Sequence, residues 1–86
     1  SLERRIRKEW YKVLVVETRA SSDDLARIRQ VLSEYDMEIR DFEIKRTAQP
    51  DCSMVELHVK LSSEQDENGI VSEIARLEGT RRAHWA

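Results

Sequence analysis

Two rhythms of apolar residues alternate along this chain. In the run Trp10 to Thr18 (WYKVLVVET) the residues are aromatic and β-branched, as expected of a strand. Tyr11, Val13 and Val15 point to one face and Leu14 and Val16 to the other, so both faces are apolar. That pattern belongs to a strand in the middle of a sheet. Leu25, Ile28, Leu32 and Tyr35 then recur at helical spacing with Val31 beside them, and Arg27, Arg29, Gln30, Ser33 and Glu34 form the wet face. Ser21 followed three residues later by Asp24 is a capping signal, with an acid at the positive end of the helix dipole.

A fault interrupts the next alternation. Met37 and Ile39 are in phase, but Phe42 and Ile44 resume in the opposite parity. One inserted residue near Arg40 and Asp41 restores a common face, so a bulge is expected there. Thr47 to Asp51 (TAQPD) holds the only proline and predicts a hairpin loop. Val55, Leu57, Val59 and Leu61 alternate with Met54, Glu56, His58 and Lys60 to give a third strand. Ser63 with Asp66 repeats the capping signal, and Ile70, Ile74 and Leu77 with Val71 define a second helix. Gly69 weakens its first turn, Gly79 stands where a left-handed C-terminal cap is expected, and Ala83 and Trp85 lie in phase in a short last strand.

The predicted order is β, α, β, β, α, β. This is the α+β, ferredoxin-like arrangement, with two helices on one face of a four-stranded antiparallel sheet. Right-handed crossovers put the first and third strands in the centre, in the order 4-1-3-2.

Length and charge bound the function. Eighty-six residues make one small domain. Fifteen basic side chains against seventeen acidic ones leave a net charge of −2, which argues against a generic nucleic-acid binder. The balance is uneven, because residues 3–12 carry five basic and two acidic groups. Residues 1–9, with Arg4, Arg5, Arg7 and Lys8, are therefore a basic lead-in, and residues 10–86 are the domain.

Candidate chemistry is sparse. Cys52, His58 and His84 are the only soft metal donors, and a single cysteine forms neither an internal disulfide nor a CxxC pair. The acids Asp23 and Asp24, and Glu64, Asp66 and Glu67, fall in predicted first helical turns, where the dipole alone favours them. Ser21, Ser22, Ser62 and Ser63 are explained as caps, and no glycine-rich loop precedes a helix. No enzyme activity, metal or cofactor is expected. The third strand offers Met54, Glu56, His58 and Lys60 where an RNA-recognition module carries stacking aromatics, so no nucleic-acid partner is expected either. What remains is surface. An apolar patch on the open sheet face, assigned to Leu14, Val16 and Met54, is expected to contact a second copy or another protein, unless lysine and arginine stems cover it.

The ending LEGTRRAHW (Leu77 to Trp85), together with the βαββαβ order, resembles the C-terminal domain of the MgtC/SapB family of bacterial inner-membrane proteins. The resemblance implies an ACT-like regulatory domain on the cytoplasmic side, an upstream transmembrane region in the same polypeptide, and a link to magnesium homeostasis, growth at low magnesium and virulence. Arg4, Arg5, Arg7 and Lys8 would then be membrane-proximal, since basic flanks lie on the cytoplasmic side. ACT domains that sense amino acids use a glycine-containing turn between the first strand and first helix, whereas Thr18 to Leu25 (TRASSDDL) contains no glycine. A residual effector loop would comprise Ser21, Ser22, Asp23 and Asp24. The alternatives are an ACT-type amino-acid sensor of a soluble enzyme and a free-standing oligomerisation module.

Overall fold

The computed structural model describes residues 10–61 and 65–86. Its elements are β1 (Trp10–Thr18), α1 (Ser22–Glu34), β2 (Met37–Arg46), β3 (Ser53–Leu61), α2 (Glu67–Ala75) and β4 (Thr80–Trp85). The four strands form one sheet in the order β2-β3-β1-β4, the expected 4-1-3-2 order counted from the other edge. All neighbouring strands are antiparallel. The basic lead-in, with Arg4, Arg5, Arg7 and Lys8, lies outside the described residues, as do Ser62, Ser63 and Glu64.

Strand register decides which apolar face receives the helices. Leu14 pairs with Leu57 and Val16 with Val55 across the β1–β3 ladder, and all four side chains are buried with Ile28, Leu32, Ile70 and Ile74 from the helices. Leu14 and Val16 are 0 % exposed. They are core residues, which corrects their assignment to an open association face. The aliphatics that β1 presents on the other face are Val13 and Val15, in register with His58 and Glu56. Met54 does stand on that open face, half-buried beside Glu17.

Open as it is to one side, this face is not an apolar patch. Val15 is only 6 % exposed, flanked by Glu56 on β3 and His84 on β4. Ion pairs run across the same surface, Arg82 to Glu17 at 2.7 Å and Lys45 to Glu56 at 3.3 Å. Val15 thus lies among charged neighbours, whose stems can cover apolar surface, while Val13 is half-buried.

The phase fault in β2 is a bulge: the register with β3 shifts between Ile39 and Asp41. Met37, Ile39, Phe42 and Ile44 consequently share the helix-facing side. Helix α1 begins with a capping box in which Ser21 Oγ accepts from the Asp24 N–H. Helix α2 is capped by Asp66, whose carboxylate accepts from the Gly69 N–H at 3.0 Å. It ends at Ala75, with Arg76 as its C-cap, so Gly79 is not that cap. Its φ of +82° is left-handed as expected, and it turns the chain into β4.

Three polar contacts tie the elements together. Tyr35 Oη donates to Glu73 at 2.7 Å, joining the end of α1 to α2, and this carboxylate raises the Tyr35 pKa. Trp85 Nε1 donates to the Glu67 carbonyl at 3.0 Å and fixes β4 against the first turn of α2. Lys12 pairs with the Glu67 carboxylate and lies over the Trp85 ring, 5.8 Å from its centroid.

Candidate functional site

The loop from Thr18 to Asp24 is the first place to look for an effector. Its backbone is shaped by the residues at its ends. Thr18 is buried and its hydroxyl accepts from the Ala20 N–H at 3.2 Å. Ala20 takes a left-handed φ of 59°, a conformation usually left to glycine. The chain then enters α1 at Ser21.

Asp24, in the first turn of α1, closes this loop. Its side chain is 0 % exposed. Oδ1 accepts from Arg19 Nη2 at 2.8 Å and Arg27 Nη1 at 3.0 Å, and Oδ2 accepts from Arg19 Nε at 3.1 Å and the Ser21 N–H at 3.3 Å. Arg19 thus grips the carboxylate with two parallel bonds, the strongest geometry available to that pair. The Arg19 hydrogen bond is the main reason that the Asp24 carboxyl is held down to about 2, against the opposing effect of burial. Reciprocally, Asp24 raises the pKa of Arg19.

The turn before the last strand closes this arrangement. Arg19 N–H donates to the Gly79 carbonyl at 3.0 Å, and Arg27 reaches Glu78 at 3.5 Å. A side chain at Gly79 would run into both the Asp24 carboxylate and the Arg19 guanidinium. Glycine is therefore needed there twice, for its φ and for the space above it.

Of the predicted effector loop, then, Asp24 is buried and fully bonded, while Ser21 serves as cap. Ser22 and Asp23 face solvent on the first turn of α1. The arginines that complete the cluster were not singled out from the sequence. Asp24 and Arg27 at a spacing of three on one helix were a legible signal. Arg19 was not, because only the turn through Ala20 brings it back.

The soft donors do not converge. Cys52 is buried before β3, whereas His58 and His84 are exposed on the open face of β3 and β4. Their partners on the intervening β1 are Val13 and Val15, which places the two histidines roughly 12 Å apart by strand spacing and rise. Among the described residues no group of three His, Cys, Asp or Glu side chains could hold a metal ion. No helix among them is long and apolar enough to cross a membrane.

A second feature lies at the β2 edge. Between α1 and β2 runs an open groove of about 430 Å³, lined by Arg29, Ser33, Met37, Ile39, Arg40, Asp41 and Phe42. A separate small cavity of about 40 Å³, which shares Arg29, Ile39 and Phe42 with it, is lined also by Leu25, Ile28 and Leu57. Phe42 on the groove wall and Ile44 next along β2 are 47 % and 46 % exposed, although they stand on the helix-facing side of the sheet.

The C-terminal domain of MgtC from Mycobacterium tuberculosis has the same architecture, with a TM-score of 0.74, 19 % identity, and coverage of 88 % of this chain and 84 % of that one. The fold is ACT-like. The ACT domain of GTP pyrophosphokinase from Chlorobium tepidum superposes with a TM-score of 0.67 at 11 % identity, over 92 % of this chain and all of that one (100 %). An ACT domain protein from Streptococcus pneumoniae gives 0.67 at 14 % identity, over 88 % of this chain and 86 % of that one. No family model and no curated protein matches the sequence. The resemblance first carried by Leu77 to Trp85 thus extends to the fold as a whole.

Proposed function

We propose that the chain is a non-catalytic regulatory and interaction domain of an MgtC-like inner-membrane protein. It faces the cytoplasm, and its parent serves magnesium homeostasis, adaptation to low magnesium and virulence. The observation that carries this reading is the likeness to the MgtC C-terminal domain over 88 % of this chain and 84 % of that domain.

Function resides in sites rather than in folds, and the site geometry supports regulation by contact. Asp24 and Arg27 at the start of α1 and Arg19 of the β1–α1 loop satisfy one another. A small amino acid would have to displace this cluster to reach the loop backbone. The open groove and exposed apolar fringe at β2 are instead suited to a macromolecular partner. An ACT-type sensor of a soluble enzyme is the second reading, favoured by the ACT-domain neighbours.

The test is made on the parent polypeptide that carries this chain. Its expected behaviour is to sediment with the inner membrane and resist alkaline extraction, with a reporter fused after Ala86 active only in the cytoplasm. Deleting residues 10–86 should impair growth at limiting magnesium. Recovery of the parent in the soluble fraction would overturn the reading.

A further inference from the structure

We infer that the outer edge of β4 is a docking site for an acidic, extended segment of another protein, which joins the sheet as a further strand. The inference rests on the interaction reading and names the chemistry of the partner.

The backbone supplies the template. β4 ends the sheet, bonded to β1 alone. The Ala86 N–H donates to the Val13 carbonyl at 2.9 Å, which makes Val13 and Ala86 a hydrogen-bonded pair of the ladder. Bonded and non-bonded pairs alternate along an antiparallel ladder. In the observed register Val15 with His84 and Glu17 with Arg82 are therefore bonded pairs, whereas Leu14 with Trp85 and Val16 with Ala83 are not. The N–H and C=O groups of Ala83 and Trp85 consequently point away from β1, towards the open edge. A strand laid beside β4 pairs with these two residues, the mode of peptide recognition in which main-chain bonds give affinity and alternate side chains give specificity.

The side chains select what that strand carries. β4 reads TRRAHW, with two arginines, a histidine and no acid. Arg82 and His84 stand on the open face, and the Arg82 side chain is 75 % exposed even while its Nε donates to Glu17 at 2.7 Å. Arg81 is exposed too, and its bond to the neutral side chain of Gln49 leaves its charge in place. On the helix-facing side Ala83 and Trp85 are half-buried and, with Val71 and Leu77, form a partly open rim of the core. Side chains of a strand alternate between faces. The strand that fits thus sets acids opposite Arg82 and His84 and aliphatics opposite Ala83 and Trp85, where they extend the core layer. Opposite charges directly across a strand pair are favourable, and like charges are not.

The same composition rules out a second copy of β4 as the occupant, because this strand holds no carboxylate. A two-fold axis at Ala83 sets Arg82 against His84, and one at Arg82 sets that guanidinium against itself. Its six residues, its positive charge and the register shift near Thr18 blunt this edge against indiscriminate pairing. An acidic strand turns the same charge into attraction.

The test is an amide chemical-shift titration of the 86-residue chain with a seven-residue peptide of alternating glutamate and valine, blocked at both ends. The control peptide has lysine for glutamate, and circular dichroism confirms folding of each variant. Saturable shifts are expected in β4 with the glutamate peptide and none with the lysine peptide. Hydrogen exchange at the Ala83 and Trp85 amides should slow roughly tenfold or more at saturation, while Arg82 and His84, already bonded to β1, change little. Ala83→Pro removes an outward N–H at a position where an edge strand tolerates proline, and should abolish binding. Arg82→Gln, which keeps the side chain's reach without its charge, should weaken binding about two- to fivefold. A folded wild type without saturable shifts would overturn the inference, as would an equal response to the lysine peptide. Shifts centred on β2 instead of β4, or exchange that slows at Arg82 and His84 rather than at Ala83 and Trp85, would also overturn it. None of these results bears on whether the parent is a membrane protein, which fractionation decides separately.

Discussion

Replacing Asp24 with asparagine tests whether the cluster at the β1–α1 loop holds the domain together. The change keeps the shape and removes the charge that Arg19 and Arg27 share. The carboxyl is lowered from its ordinary 3.8 to about 2, which corresponds to roughly 2 kcal/mol at neutral pH. The two guanidinium side chains are 49 % and 38 % exposed, so solvent screens part of this and about 1–2 kcal/mol remains. The asparagine NH2 group also replaces an acceptor facing Arg19 Nε or the Ser21 N–H, which adds about 1 kcal/mol of lost hydrogen bonding. The expected loss is about 2–3 kcal/mol at pH 7, or roughly 10–20 °C in Tm for a domain of this size.

The pH dependence identifies the cause. A carboxyl whose pKa is depressed on folding contributes stability above its unfolded value, and that contribution is lost as pH falls through the folded value. The gap between wild type and Asp24→Asn, followed by urea denaturation, should therefore be constant above about pH 5. It should close progressively towards pH 2, as the wild-type carboxyl becomes protonated. An unchanged denaturation midpoint at pH 7, or a gap that persists undiminished at pH 2, would refute the reasoning.

Other substitutions probe neighbouring parts of the account. Gly79→Ala forces a side chain into a left-handed position against Asp24 and Arg19, and should lower stability by about 1–3 kcal/mol in thermal melts. Asp36→Gly, at a left-handed φ of 56° just after α1, should raise stability by about 0.5–1 kcal/mol. Trp85→Phe removes the bond to the Glu67 carbonyl and weakens the contact with Lys12. It should cost about 1–2 kcal/mol, with hydrogen exchange accelerated in the first turn of α2 rather than throughout the chain.

Much of the fold was legible in the sequence because each signal had a single structural reading. The two apolar faces of Trp10 to Thr18 required a central strand, and β1 is central. The parity change between Ile39 and Phe42 required an extra residue, and the bulge supplies it. Ser21 and Asp24 form the capping box that their spacing implied. Which face of β1 the helices cover was not legible, since valines and leucine occupy both faces and only the pairing of Leu14 with Leu57 settles it. The ion pair that crosses the open face beside Val15 was equally hidden, because Glu17 and Arg82 are far apart in sequence.

The candidate site was legible in part. The capping role of Asp24 was legible, but its pairing with Arg19 and Arg27 was not. Arginines interspersed with acids on a helix usually signify a solvated face, and Arg19 joins the cluster only through the left-handed turn at Ala20. Gly79 carried a similar ambiguity: its left-handed backbone was anticipated, whereas its role as the space that admits the Arg19–Asp24 pair depends on contact between distant segments.

The central claim is that this domain acts through macromolecular contact and not through a small effector held in the β1–α1 loop. Amide chemical-shift titration with the standard amino acids, and separately with magnesium chloride, tests it most directly. The amides from Thr18 to Leu25 are expected to stay in place throughout. Saturable shifts in that loop at sub-millimolar ligand, lost in Asp24→Asn, would contradict it.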